Sequence, residues 1–454
     1  MAKLTIYNVA ICLTVGWGGY SYGFGFAVFV SSLGQPSFYE YFKLDLTILQ
    51  SNLIGAINAL FNLGLAIGAI TQGWLADRLG RKKAFYLAAT CSLVGAALIT
   101  GAVVIEMLIV MRLLHGFGLG MLICLVPLYL TEVSPARYRG FLSGFTTLSF
   151  GHNAEAWTII KRLHQSATDP DDSFAHAELT QIVRQVEFDK ENKVGYIDMF
   201  KKPSWRRRSI LAMFIQFAAQ STGILGIANF ITIILGSLGL TGVMPLLVYA
   251  LFTTVGTIFV FVAISIVDKM GRRTMFHSVL TFSILDQVIG FPTMAACLLI
   301  EGVLQSRYLG SDNQAGLAAC VAFMFIYLVC FQFVDAPAFI YVSEIFPTAI
   351  RAKGNSLGFF AYFVGAITYT TPAALAFKNI AWRMYLIYMG LCLISMVIVY
   401  FYVPETKQLP VEEIGALFGD EVVVHLTADG HGIVEDGKEV QIEEREDITR
   451  EEKA

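Results

Sequence analysis

The charged residues of this chain recur in a fixed order within an otherwise apolar sequence. Pro127-Leu-Tyr-Leu-Thr-Glu132-Val-Ser-Pro135-Ala-Arg137-Tyr-Arg139-Gly140 returns downstream as Tyr341-Val-Ser-Glu344-Ile-Phe-Pro347-Thr-Ala-Ile-Arg351-Ala-Lys-Gly354. Ahead of each copy stands a second motif, Asp77-Arg78-Leu-Gly80-Arg81-Lys82 and then Asp268-Lys269-Met-Gly271-Arg272-Arg273. Acids and bases so spaced can pair at helix ends, where long cationic side chains escape the cost of lying in hydrocarbon. Gln216 and Gln220, at i and i+4 on one helical face, offer amides that both donate to and accept from hydroxyls. Asp335 is an acid at membrane depth and by that position alone a candidate for function. Bond-breaking chemistry finds no support, since no Ser/His/Asp order or metal-ligand spacing is present. Gly432-Ile-Val-Glu-Asp-Gly437-Lys438 mimics a phosphate loop, but Glu439 stands where the metal-binding Ser or Thr must be. No cofactor, metal or nucleic-acid partner is expected.

The elements that carry these residues must lie in a bilayer. Of 454 residues 56% are hydrophobic and 15% charged, with a mean hydropathy of +0.63, against about 25% charged in soluble domains. The first charge after Lys3 is Glu40, so 7–33 is an apolar span too long for a removed signal peptide. Its Gly18, Gly19, Gly23 and Gly25 permit close helix packing. Further stretches of the ~20 residues that cross a bilayer run over 52–75, 84–103, 107–130, 209–235, 243–267, 275–300, 315–342, 355–377 and 382–402, which predicts about ten spans. Arg78, Arg81, Lys82, Lys83, Arg137, Arg139, Arg206 to Arg208, Lys269, Arg272, Arg273, Arg351 and Lys353 all fall on one side. The positive-inside rule puts that side, both termini and the central polar segment in the cytoplasm. The expected organisation is a first membrane half over 1–151, a linker with short amphipathic helices over 152–208, a second half over 209–403 and a flexible acidic tail over 404–454. All seven cysteines fall in apolar segments and are read as small buried residues. His115 is read as packing near Gly116.

The repeated motifs, with Met111-Arg112-Leu-Leu-His-Gly116, Gln216-Phe-Ala-Ala-Gln220-Ser-Thr-Gly223 and Pro404-Glu405-Thr406-Lys407, occur in the order of one known family. The chain resembles a fungal member of the sugar-porter family of the major facilitator superfamily. The resemblance implies an all-α membrane protein of two helical half-bundles, opening alternately to each face around a substrate held between them. It implies a sugar or polyol as substrate, the lipid bilayer as surroundings, residence in the plasma membrane, and protons as an open alternative to plain facilitation. The implied substrate-binding set is Gln216, Gln220, Thr222, Asn229, Phe339 and Tyr362. The implied gating set is Arg81, Glu132, Arg139, Arg272, Arg273, Glu344 and Arg351, with Glu132 paired to Arg81, and Glu344 to Arg272 or Arg273, as exposed cytoplasmic latches.

The sequence also departs from that family. Ala219, Leu225, Gly256 and Tyr362 stand where it carries amides, which implies either a ligand less polyhydroxylated than a hexose or weak binding. The first-helix acid of its proton symporters falls on Gly25, while the usual counter-ion, Arg112, remains; Arg112 and Asp335 are then the coupling candidates. Between Tyr138 and the linker the family calls for a full fifth and a sixth helix. Residues 138–151 reach about 21 Å at 1.5 Å per residue, short of the ~30 Å hydrocarbon core. Two lost crossings preserve orientation downstream. The expectation is therefore an internally shortened form with about ten helices instead of 12 and impaired transport. A non-transporting nutrient sensor is the other alternative; its long, motif-bearing tail is not matched by this short one.

Overall fold

The computed structural model describes residues 6–33, 35–43, 48–133, 195–277, 290–311, 313–347, 350–406 and 411–419, with short strands beyond. Eight helices among the described residues are long and apolar enough to cross a membrane. In the first half these are α3 (Ile48–Leu79), α4 (Arg81–Thr100) and α5 (Ile105–Val133), preceded by α1 (Ile6–Leu33) and the short α2 (Pro36–Tyr41). The α1 helix is the expected first span, 28 residues without a charge. The linker ends in α6 (Asp198–Lys201). The second half runs through α7 (Pro203–Ser221), α8 (Ile224–Ser237), α9 (Met244–Met270), α10 (Arg272–His277), α11 (Phe291–Tyr308), α12 (Gln314–Glu344), α13 (Arg351–Thr370), α14 (Ala373–Asn379) and α15 (Arg383–Tyr402). The expected span 275–300 is described at its two ends only.

Two expected spans are broken. The stretch 209–235 divides between α7 and α8 at Gly223, whose φ of 85° is a left-handed conformation that only glycine adopts without penalty. A side chain there would also strike the Tyr388 ring. The stretch 355–377 divides before Ala373, where Pro372 cannot donate to a continuing helix.

Helix α5 is the post around which the first half is built. Carbons added at Gly116 and Gly120 would overlap the carbonyls of Phe61 and Leu65 on α3, and those at Gly64 and Gly68 would overlap the carbonyls of Leu113 and Phe117. These paired small residues bring two backbones into contact, the means by which helices associate where lipid removes the hydrophobic drive. Gly118 does the same towards Ser92 of α4. Helix α1 seats on α5 through Gly18 and Gly25, whose added carbons would lie 2.8 Å from Val126 Cγ2 and 2.9 Å from Leu119 Cδ1. Gly19 and Gly23, also expected to pack, face open space. Backbone contact with α3 and α4, and the glycines of α1 seated on α5 side chains, hold these four helices as a bundle.

The halves meet along α3 and α13, and α13 continues the contact to α7. The tail departs from the expectation of flexibility. Residues 404–406 lie against α10, and α16 (Val411–Leu417) docks beneath α7, with Ile414 and Phe418 buried. Arg208, 1% exposed, donates to the Gly415 carbonyl at 3.3 Å and lies over the Phe418 ring at 4.9 Å. Beyond it, β1 (His425–Leu426), β2 (Ile433–Glu435) and β3 (Lys438–Val440) pair as a three-stranded antiparallel sheet. The phosphate-loop mimic is thus a hairpin: Glu435 pairs with Lys438 across Asp436-Gly437, a dipeptide that favours tight two-residue turns.

Candidate functional site

The first group of candidate residues lies at the helix ends that carry the repeated charged motifs. Arg272 and Glu344 form a bidentate pair, Nε to Oε2 at 3.1 Å and Nη2 to Oε1 at 3.0 Å. Of the two partners the sequence left open, Arg272 is the one taken. Arg273 instead donates to the Tyr400 carbonyl at 2.7 Å. The pair was expected to be exposed, yet its side chains are only 7% and 9% accessible. Its surroundings explain this. Glu405, from the Pro404-Glu405-Thr406 run, accepts the backbone N–H groups of Arg272 and Arg273, both at 2.9 Å, and Thr406 is buried beside Glu344. The tail motif therefore caps the loop that carries the latch, a role the sequence reading did not assign.

In the first half Asp77 pairs with Arg81 at 3.6 Å and also with Lys353 of α13, a bond that crosses between halves. Arg81 further donates to the Ala76 carbonyl at 2.9 Å. The side chain of Glu132, and Arg139, lie outside the described residues, so the expected Arg81–Glu132 latch does too. Arg351 is 2% exposed and donates to the Phe346 carbonyl at 3.3 Å, within its own turn. Further bonds join the halves: Asn355 donates to the Cys124 carbonyl at 3.1 Å, and the linker's Tyr196 donates to the Ile70 carbonyl at 2.6 Å. Among the described residues, these bonds tie the two halves together at the helix ends that carry the charged motifs.

The second group lies between the halves at membrane depth. Gly358 and Gly365 open α13 towards α7, with added carbons 3.7 Å from Gln216 Cγ and 2.9 Å from Gln220 Cβ. Gln216 is fully buried, its amide nitrogen 3.5 Å from the Ala338 carbonyl and its oxygen without a partner. Gln220 is 1% exposed, and both its amide atoms lack partners in hydrogen-bonding geometry. Aromatic rings stand beside them. Phe339 lies 5.0 Å from Phe359 and 5.6 Å from Tyr362, Tyr362 lies 5.3 Å from Phe363, and Tyr22 of α1 lies 6.2 Å from Phe363. The Tyr362 hydroxyl faces Gln220 and Tyr22. Asp335, half-buried, acts on both tyrosines and has an Oδ1 without a partner.

Two members of the expected binding set are occupied within their own helices. The Thr222 hydroxyl donates to the Ala219 carbonyl at 2.7 Å and Tyr327 holds its carbonyl at 2.8 Å, so it serves the α7–α8 break. Asn229 donates to the Leu225 carbonyl at 2.9 Å, leaving its buried Oδ1 unpaired. Arg112 and Asp335, named together as coupling candidates, form no ion pair with each other among the described residues. Arg112 lies over the rings of Phe29, at 3.9 Å, and Phe61, at 4.4 Å. Where an acid on α1 would stand, at Gly25, the His115 ring fills the space, its Nε2 3.2 Å from an added carbon.

Two half-bundles of apolar helices joined along α3 and α13, with ion pairs at one end and buried polar side chains within, have the build of a membrane carrier of the major facilitator fold. The family described as "Sugar (and other) transporter" matches residues 10–151 and 148–418, and the chain belongs to it. The match breaks in two where the fifth and sixth helices were expected. Relatives include the MFS-type transporter criB of Aspergillus cristatus, 26% identical over 467 aligned positions covering 90% of this chain and 93% of that protein. The high-affinity glucose transporter of Kluyveromyces lactis is 25% identical, covering 93% and 87%. Myo-inositol transporter 2 of Schizosaccharomyces pombe is 22% identical, covering 82% and 75%. Among solved structures, the proton:xylose symporter XylE bound to 6-bromo-6-deoxy-D-glucose superposes with a TM-score of 0.74 at 20% identity, over 91% of this chain and 99% of that one. The inward-open form from E. coli gives 0.60 over 90% and 100%.

Proposed function

We propose that this chain carries a sugar or polyol across a cell-surface membrane by alternating access, with its termini and linker in the cytoplasm. The observation that carries this reading is Gln216 and Gln220, buried, with the Gln216 amide oxygen and both amide atoms of Gln220 without hydrogen-bond partners. An unpaired buried amide costs about 1 to 3 kcal/mol, a cost that substrate hydroxyls would offset. Gln216, Gln220, the free oxygen of Asn229, Phe339 and Tyr362 then hold the ligand, with the rings supplying apolar faces to a sugar ring. The few amides and many rings favour a ligand with fewer hydroxyls to satisfy than a hexose. With Gly25 in place of an acid, passive facilitation is the simpler mode. The glucose, inositol and xylose named for its relatives support the substrate class. Uptake of labelled hexoses, pentoses and polyols by cells lacking their own hexose carriers tests the reading. Saturable uptake of at least one is expected; none, with the protein correctly inserted, would refute it.

A further inference from the structure

Asp335 stands at the depth of the buried amides and rings. It lies nine residues before the charged end of α12, and Tyr362 lies eleven after that of α13, so at 1.5 Å per residue both sit about 14 to 17 Å from those ends. Phe339, four residues on from Asp335, shares its helix face and lies 5.6 Å from the Tyr362 ring. The Tyr362 hydroxyl meets Gln220 and Tyr22, and the carboxyl of Asp335 acts electrostatically on both tyrosines. One acid, three rings and an amide therefore border one space, reached from α1 as well as from the second half.

Asp335 keeps part of its surface accessible, and that part is turned inwards. Nine residues separate it from Ile326, which is exposed; at about 100° per residue the two point to opposite sides of α12. Ile326 faces the lipid, so Asp335 faces the interior. There its Oδ1 has no partner, and among the described residues no lysine or arginine pairs with it. Arg112 lies over Phe29 and Phe61 instead. Gln220, 1% exposed, has both amide atoms unmatched as well. A carboxylate at membrane depth is costly unless a cation answers it. Ring faces carry partial negative charge and attract the same kind of ligand. An acid among rings therefore suits a cation, whereas a neutral hexose leaves the charge unmet.

We infer that the substrate carries a protonated amine, as an amino sugar does, and that Asp335 receives the ammonium while Gln216 and Gln220 take hydroxyls. This rests on the carrier reading above and narrows its substrate. It accounts for the ring-rich, amide-poor lining too, since one charge pair with cation–ring contacts replaces several neutral hydroxyl contacts.

The test compares D-glucosamine with D-glucose, which differ in one ring substituent, and with uncharged N-acetyl-D-glucosamine, at about pH 6, where an amine is protonated. Binding is read by ligand-induced shift of melting temperature, and uptake in proteoliposomes of the purified full chain. D-Glucosamine should bind at least ten-fold tighter than either neutral sugar. Asp335→Asn should bring the ratio over D-glucose close to one, while Asp335→Glu, which keeps the charge, should retain a preference for the amine. A variant whose unliganded melting shows misfolding is set aside, and the comparison of sugars on the parent chain then decides alone. Equal or tighter binding of D-glucose or of the acetylated sugar overturns the inference and leaves the carrier reading standing. A preference for the amine that survives Asp335→Asn overturns the assignment to Asp335. D-Glucose uptake that an inward proton gradient accelerates in the parent chain but not in Asp335→Asn gives the charge to a proton and overturns the inference as well. Binding and uptake of none of the three overturns both readings.

Discussion

Gln220 offers the most informative single substitution. It is buried, its amide is unpaired, and the hydroxyl of Tyr362 is its polar neighbour. If a substrate hydroxyl completes that amide, Gln220→Ala removes about 1 to 3 kcal/mol of binding. Apparent affinity in uptake should fall about five-fold or more at unchanged protein level. Unchanged affinity with less protein would mean that the glutamine only packs. Asp335 is separable by pH. Should it carry a coupled proton, uptake depends on pH and Asp335→Asn abolishes that dependence at equal expression; pH-independent uptake by the parent chain would leave facilitation alone.

At the scale of helices and their ends, burial changes the expected behaviour of the latch. An exposed ion pair contributes about 0.2 to 1 kcal/mol, but removing one partner of a buried pair costs about 3 to 5 kcal/mol because the other charge is stranded. Glu344→Gln should therefore lower the melting temperature of the purified protein by several degrees as well as disturb gating; a change in gating alone would show that the pair is wet in solution. Truncation after Gly419 should leave melting unchanged. Truncation after Thr406 should lower it, since α16 covers Arg208; equal melting of the two would mean that the helix does not dock. The helices and their charged ends were legible in the sequence because length and apolarity alone decide what can cross a bilayer. The interruption at Gly223 was not, because one residue's left-handed φ leaves no mark on hydropathy. The hairpin at Asp436-Gly437 was legible in its turn dipeptide but masked by the same glycine's likeness to a phosphate loop. Gln216 and Gln220 were readable from i, i+4 spacing, whereas the roles of Glu405 and of His115 depend on contacts between segments distant in sequence.

For the molecule as a whole, the described helices of the first half are held together by α5, which touches α3 and α4 at backbone distance through glycines and seats the glycines of α1 on its side chains. The joint with the second half runs through α3 and α13 and bears the Asp77–Lys353 and Asn355–Cys124 bonds. Those contacts are what alternating access must break and remake, and a helix pair restored from a relative between residues 140 and 152 would add cavity wall rather than replace the joint. Transport per inserted molecule by the restored chain, set beside this one, measures what the shortening costs; equal rates would show that the compact form is sufficient. The most direct test of a carrier with alternating halves is counterflow. Proteoliposomes holding the purified chain are loaded with unlabelled substrate, diluted, and followed for entry of a labelled trace. The account predicts a transient accumulation of label above its equilibrium level, because the unlabelled substrate inside competes with label for exit on the shared site while little competes with its entry. Label that enters no faster than into protein-free liposomes, with the protein shown to be folded and inserted, would contradict it.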